Sequence, residues 1–220
     1  MFLTYLAKDP HFFVYIVVTM VFSTVLHELA HGWAAIWQGD RTPIERGHMT
    51  ADPRVHMGTL SLLMLVTVGI SFGAMPVDPR RFRHRHGFAF VAAAGPSMNL
   101  LLAFVALTGL GIWSLAVADG APISLEGDNL RGFLWTFGYC NIALCAFNLI
   151  PIPPLDGSTV LASVSGGYRR FIEGVRSPVV FLVAFMVVFT VLGSQGLHIY
   201  RLGASAAERY LQWLYSFAGR

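Results

Sequence analysis

The chain has 220 residues, 55% of them hydrophobic and only 12% charged, with a mean hydropathy of +0.60. A soluble domain carries about 25% charge, so an ordinary soluble fold is excluded, and several apolar runs approach the roughly 18 residues of a membrane span. The net charge of +3 does not point to nucleic acid, because 14 of the 15 basic residues are Arg and most lie in short loops between apolar runs, where topology-setting charge belongs.

In chain order, the first expected helix covers about 11–37 and ends near Gln38-Gly39-Asp40. Its apolar run is too long for a cleaved signal peptide, so the N-terminus is expected to be retained. A polar stretch at 41–56 carries Arg41, Arg46 and Arg54. Next come an apolar run at 57–75 and a basic loop with Arg80, Arg81, Arg83 and Arg85. A long helix is expected over 87–117, then a polar loop at 118–130. A fourth helix starts near Arg131 and is broken by Pro151, Pro153 and Pro154, with a short helix resuming at 158–164. A further span is expected at 177–194, and an interfacial amphipathic helix at 198–217. Cys140 and Cys145, five residues apart, suit neither a metal knuckle nor a helical disulfide and read as buried thiols. The histidines at 11, 48, 56, 84, 86 and 198 read as surface residues.

Whether 57–75 crosses the membrane decides the topology. A crossing divides the basic residues seven to eight between the two sides. A segment that dips in and returns puts ten on one side and five on the other. The positive-inside rule favours the second arrangement, with the ten in the cytoplasm. The first and fourth helices then run parallel, and Asp156 reaches the depth of His27, roughly 16 Å from the polar end of the first helix at 1.5 Å per residue.

His27-Glu28-x-x-His31 lies inside the first apolar run. Residues four apart share a helix face, so both imidazoles can grip one zinc ion, with Glu28 beside them as the base for a metal-activated water. Alone, the three fixed letters arise by chance in many soluble chains; within an apolar span, ionisable groups cost several kcal/mol unless paired or metal-bound. A catalytic zinc takes three protein ligands, and Asp156 is the candidate third. Asp156 could instead cap the short helix after Pro154. Asn99 and Asn148 could be hydrogen-bond glue between helices, and the run of small residues at 92–95 reads as close helix packing.

His27-Glu28-x-x-His31, Ala94-Gly95-Pro96-x-x-Asn99 and Asn148-Leu-Ile-Pro151-Ile-Pro-Pro-Leu-Asp156-Gly157 together resemble the site-2 protease family of intramembrane zinc metalloproteases, peptidase family M50. Gly47-x-x-Thr50-x-x-Pro53-x-x-His56-x-Gly58-Thr59 and Pro76-Val77-x-Pro79-Arg80-x-Phe82 resemble its short branch, without PDZ or CBS domains. His48 and Ala51-Asp52 depart from that branch, where Arg and Leu-Asn are expected. The resemblance implies an all-α polytopic membrane bundle with a re-entrant segment and a small β element at about 44–50, which would pair with an unwound substrate strand. It implies one membrane-embedded domain over 1–220 with its core at about 11–165, and one Zn2+ per chain on His27, His31 and Asp156. Glu28 would be the general base, and Asn148 would position the substrate or polarise its carbonyl. The expected partners are the lipid bilayer and a transmembrane or membrane-anchored protein substrate, in the plasma membrane of a prokaryote, with the site toward the cytoplasm. The sequence assigns no oligomeric state. Two rivals use the same ligands: a proteolytically inactive scaffold, which does not need Glu28, and a metal or proton transporter, which needs a repeat or second ligand cluster that the sequence lacks.

Overall fold

A computed structural model describes residues 2–117, 129–175, 177, 179–180, 183–184, 187 and 197–217. Helix α1, Pro10–Trp37, starts where the Asp9 carboxylate accepts the Phe12 N–H at 2.9 Å and Pro10 supplies a pre-set φ. It spans roughly 42 Å at 1.5 Å per residue, and its C-terminal half buries Ser23, His27, Glu28 and His31 against the rest of the fold. Helix α2, Pro53–Val68, is capped by Asp52 and ends at Gly69, whose φ of +85° lets the chain reverse. Beyond Gly69 the backbone is extended and returns along α2. Phe72 N donates to Ser61 Oγ at 2.9 Å, Ser61 Oγ donates to Phe72 O at 2.7 Å, and Ala74 N donates to His56 O at 3.0 Å.

Helix α3, Gly87–Val117, is the central element and packs against both α1 and α4, Asn129–Asn148. After α4 the proline-rich turn at 149–155 leads into α5, Asp156–Val164, which packs on α3. Helix α6, Gly166–Gly174, is capped by Ser165. Helix α7, Leu197–Phe217, docks on α3 and α4 through buried Ala207 and Leu211, with Tyr210 Oη 2.7 Å from Thr108 Oγ1.

Three expectations are corrected. No β element forms at 44–50, and the described residues contain no strand. Pro43 opens a one-turn helix, Thr42–Glu45, and Gly47 follows with a φ of +68°, so this stretch offers no extended edge. The polytopic bundle is also reduced. Among the described residues only α1 and α3 are long and apolar enough to cross a membrane. Helix α4 falls short because Asn129, Arg131, Asn141 and Asn148 lower its hydropathy, and the span expected at 177–194 lies largely outside the described residues. Lastly, His56 is not a surface residue: it is buried, with Nε2 2.7 Å from Thr50 O. Both cysteines are free thiols as expected, Cys140 buried and Cys145 partly so.

Asp40 pins the end of α1 to the returning segment. Its carboxylate, fully buried, accepts Thr42 N at 2.9 Å, Thr42 Oγ1 at 2.5 Å and Asp78 N at 2.7 Å. Burial by itself would raise its pKa, but these hydrogen bonds outweigh it and hold the carboxyl below the ordinary range. Arg83 N, donating to Gln38 O at 2.8 Å, reinforces this end; with Ser61 holding Phe72 at the other, the returning segment is tied at both ends and lies across the site described next.

Candidate metal centre

His27 and His31 project from one face of α1 with their Nε2 atoms 3.0 Å apart. Asp156, the first residue of α5, brings Oδ2 within 3.1 Å of His27 Nε2 and Oδ1 within 3.4 Å of His31 Nε2. The side chain of Asp156 caps no helix, since the cap position is Leu155, which removes the capping alternative. The three ligand atoms all lie within 4.8 Å of one another, although Asp156 is 125 residues from His31 in sequence.

The other ring nitrogens show which atoms are free to bind. His31 Nδ1 lies 2.7 Å from Val91 O, and a carbonyl only accepts, so this nitrogen carries the proton and Nε2 presents a lone pair. His27 Nδ1 lies 2.6 Å from Asn99 Oδ1, which imposes the same tautomer. Two lone pairs and a carboxylate then converge with no donor among them, and the buried Asp156 Oδ2 accepts no hydrogen bond. Acceptors alone, gathered this closely, suit a cation. Two imidazoles and a carboxylate are a zinc donor set that leaves a position open.

Helix α3 supplies the wall behind this set. Val91, Gly95 and Asn99 recur every fourth residue and face His31, both imidazoles and His27 in turn. A Cβ at Gly95 would collide with His31 Nε2 and with the His27 ring. Gly95→Ala should therefore lower the zinc retained after a chelator wash, even though Ala favours a helix interior by about 1 kcal/mol over Gly. Retention equal to the parent would show that the wall is not needed for the site.

Glu28 lies beside the cluster, against the extended segment: a Cβ at Gly73 would come 2.6 Å from Glu28 Oε1. A cavity of about 370 Å³ is lined by His27, Glu28, His31, Gly73, Asn148 and Asp156, among others. Asn148 Nδ2 donates to Leu144 O of its own helix at 3.0 Å, which leaves its second N–H and Oδ1 for other partners. All five residues expected at the site therefore border one cavity. Sequence reasoning missed Gly95, Asn99 and Gly73. The signal for the first two was their i, i+4 spacing in the Ala94–Asn99 motif, which puts them on the face of α3 turned to the histidines. A recess of about 440 Å³ between Thr42 and Arg81 is a different matter: Arg81 there pairs with Glu45 at 2.8 Å and with Asp78 at 3.6 Å.

The sequence profile of Peptidase family M50 matches residues 115–193, which hold Asn148 and Asp156 but not His27–His31. The chain is similar to "Putative zinc metalloprotease YwhC" of Bacillus subtilis, 33% identical over 186 residues, covering 82% of each chain. It is also similar to "Putative zinc metalloprotease Rip2" of Mycobacterium tuberculosis, 28% identical over 159 residues, which cover 68% of this chain and 56% of that protein. A third relative, "Putative zinc metalloprotease sll0528" of Synechocystis, is 32% identical over 142 residues, covering 64% of this chain and 29% of that protein. No solved structure gives a significant match. The family is membrane-associated, in keeping with the two apolar helices α1 and α3. Identity of one residue in three with YwhC along four fifths of both chains, and a profile match through the stretch that holds Asp156, establish that this chain belongs to peptidase family M50, the site-2 protease family of zinc metalloproteases.

Proposed function

We propose that the chain is an intramembrane zinc metalloprotease that hydrolyses peptide bonds of transmembrane or membrane-anchored proteins. The observation that carries this reading is the convergence of His27, His31 and Asp156 beside the buried carboxyl of Glu28 in one cavity. Zinc held by those three residues would supply Lewis acidity toward the scissile carbonyl and toward an attacking water. Glu28 takes the proton of that water and passes it to the leaving amine, the work of a general acid–base. Asn148 offers its free N–H to the carbonyl oxygen as charge develops there. The backbone at Gly73 lies against the Glu28 carboxyl and lines the same cavity.

A helical substrate hides its carbonyls in its own hydrogen bonds, so cleavage needs a locally unwound segment. The extended stretch at 70–75 supports this requirement. Its Phe72 and Ala74 N–H groups bond to α2, while those of Ser71, Gly73 and Met75 bond to no described residue. That leaves an edge along which an extended peptide can pair. Ten of the fifteen basic residues fall at 41–56, 77–87 and 165–176, which favours an orientation with these segments in the cytoplasm.

The reading is tested by reconstitution in liposomes with a membrane-anchored reporter and with the same cleavage sequence on a soluble peptide. The anchored reporter should be cut, cutting should stop with 1,10-phenanthroline, and it should return with added zinc. Chelator-resistant cleavage, or equal cleavage of the unanchored peptide, would overturn it.

A further inference from the structure

Behind His27 a chain of side-chain amides crosses three helices. Asn99 Oδ1 on α3 lies 2.6 Å from His27 Nδ1. Asn99 Nδ2 donates to Asn141 Oδ1 on α4 at 2.9 Å. Asn141 Nδ2 donates to Phe137 O at 2.9 Å and to Ser23 Oγ on α1 at 2.8 Å. Asn99, Asn141 and Ser23 are each no more than 1% exposed, so solvent cannot replace any of these partners. A buried amide network is stabilising only when every member is satisfied.

This network has a direction, and one backbone atom sets it. The oxygen and nitrogen of an Asn amide are interchangeable by a flip, and a serine hydroxyl can donate or accept. Phe137 O can only accept. Asn141 must therefore turn its NH2 toward Phe137, which leaves Asn141 Oδ1 facing Asn99. Asn99 must answer with its own NH2, which leaves Asn99 Oδ1 facing His27. His27 must then hold its proton on Nδ1. Flipping either amide sets acceptor against acceptor at about hydrogen-bond distance.

We propose that Asn99, oriented by Asn141, is a positioning residue that locks His27 in the Nδ1–H tautomer, so that a carbonyl of α4 determines which nitrogen of α1 faces the metal. The proposal rests on the metal reading of His27, His31 and Asp156 and adds to it a residue that touches neither metal nor substrate. His31 needs no such relay, because Val91 O reaches its Nδ1 directly at 2.7 Å. His27 lies one turn deeper, where the wall residue is a side chain. The relay therefore does for His27 what a backbone carbonyl does for His31. Helix glue alone would explain the burial and mutual bonding of the two asparagines, but not that the chain ends with Asn99 Oδ1 2.6 Å from the ring nitrogen of His27.

The first measurement uses the unaltered, metal-free protein in detergent, with 15N-labelled histidine, in buffer alkaline enough for the rings to be neutral. His27 should show a protonated Nδ1 and a bare Nε2; the opposite tautomer would overturn the proposal, and no variant need fold for this result. The second is zinc competition against a chromophoric chelator. Asn99→Leu, which removes the acceptor, should weaken zinc by about 10- to 100-fold, the usual cost of losing a partner of a metal-bound histidine. Asn99→Asp keeps an acceptor toward His27 and should recover most of that loss. Equal affinity in all three chains, or equal loss in both variants, would overturn the relay. His27→Ala separates the two readings: if it binds zinc as the parent does, the metal site itself fails, whereas if only His27→Ala is impaired, the relay alone fails.

Discussion

Glu28→Gln is expected to abolish peptide hydrolysis while the protein keeps its zinc. The substitution preserves length and volume at a buried position, and the amide oxygen can occupy the place of Oε1 beside Gly73. What it removes is the ability to accept a proton from water and return it to the amine. General acid–base groups contribute about 10²- to 10⁴-fold, or about 3 to 5 kcal/mol of barrier. The three ligand atoms come from His27, His31 and Asp156 and none from Glu28, so zinc content measured by atomic absorption should match the parent. The two results together discriminate among uses of the site. A scaffold that keeps the metal site for structure would show no catalytic loss, because the parent would cut nothing. A cation relay through the same ligands would show altered flux and no cleavage. Full cleavage by the variant would sink Glu28 as the base.

Much of the site was legible because its chemistry is local or tied to a helix break. His27 and His31 share a face by simple helical spacing, and the prolines at 151, 153 and 154 end α4 where Asp156 must start a new helix. What was not legible depends on approach distances. Gly95 and Asn99 read as packing and glue, and they do pack. Only the antiparallel apposition of α1 and α3 shows that the same residues leave room for two imidazoles and orient one of them. The β element expected at 44–50 failed for a local reason: Pro43 and Gly47 favour turns. The extended backbone lies instead at 70–78, where Gly69 reverses the chain and Ser61 and Asp40 hold it. Helix α4 has span length, but its asparagines serve the buried network and the cavity, which lowers its hydropathy below that of a span.

Asp156→Ala should cost most of the bound zinc without unfolding the chain. Losing a residue that merely orients a metal-bound histidine costs about 10- to 100-fold in affinity, and losing a direct ligand should exceed that. Without Asp156 the site keeps two neutral imidazoles on one helix and no negative charge, which leaves a zinc with two protein ligands where a catalytic site has three. Stability should change little. Asp156 caps nothing, so no cap is lost. An acidic residue in the first turn of a helix contributes about 0.3–1 kcal/mol, and alanine is the better helix former. In the metal-free parent the Asp156 carboxylate lies 3.1 Å from His27 Nε2 and 3.4 Å from His31 Nε2, so comparing the two metal-free chains separates the loss of these contacts from the loss of metal. The expected pattern is therefore a thermal midpoint close to that of the metal-free parent, together with zinc lost on dilution into chelator. A midpoint that collapses even without metal would make Asp156 a structural residue. Unchanged zinc content would take it out of the site and leave the profile match at 115–193 with no ligand to contribute.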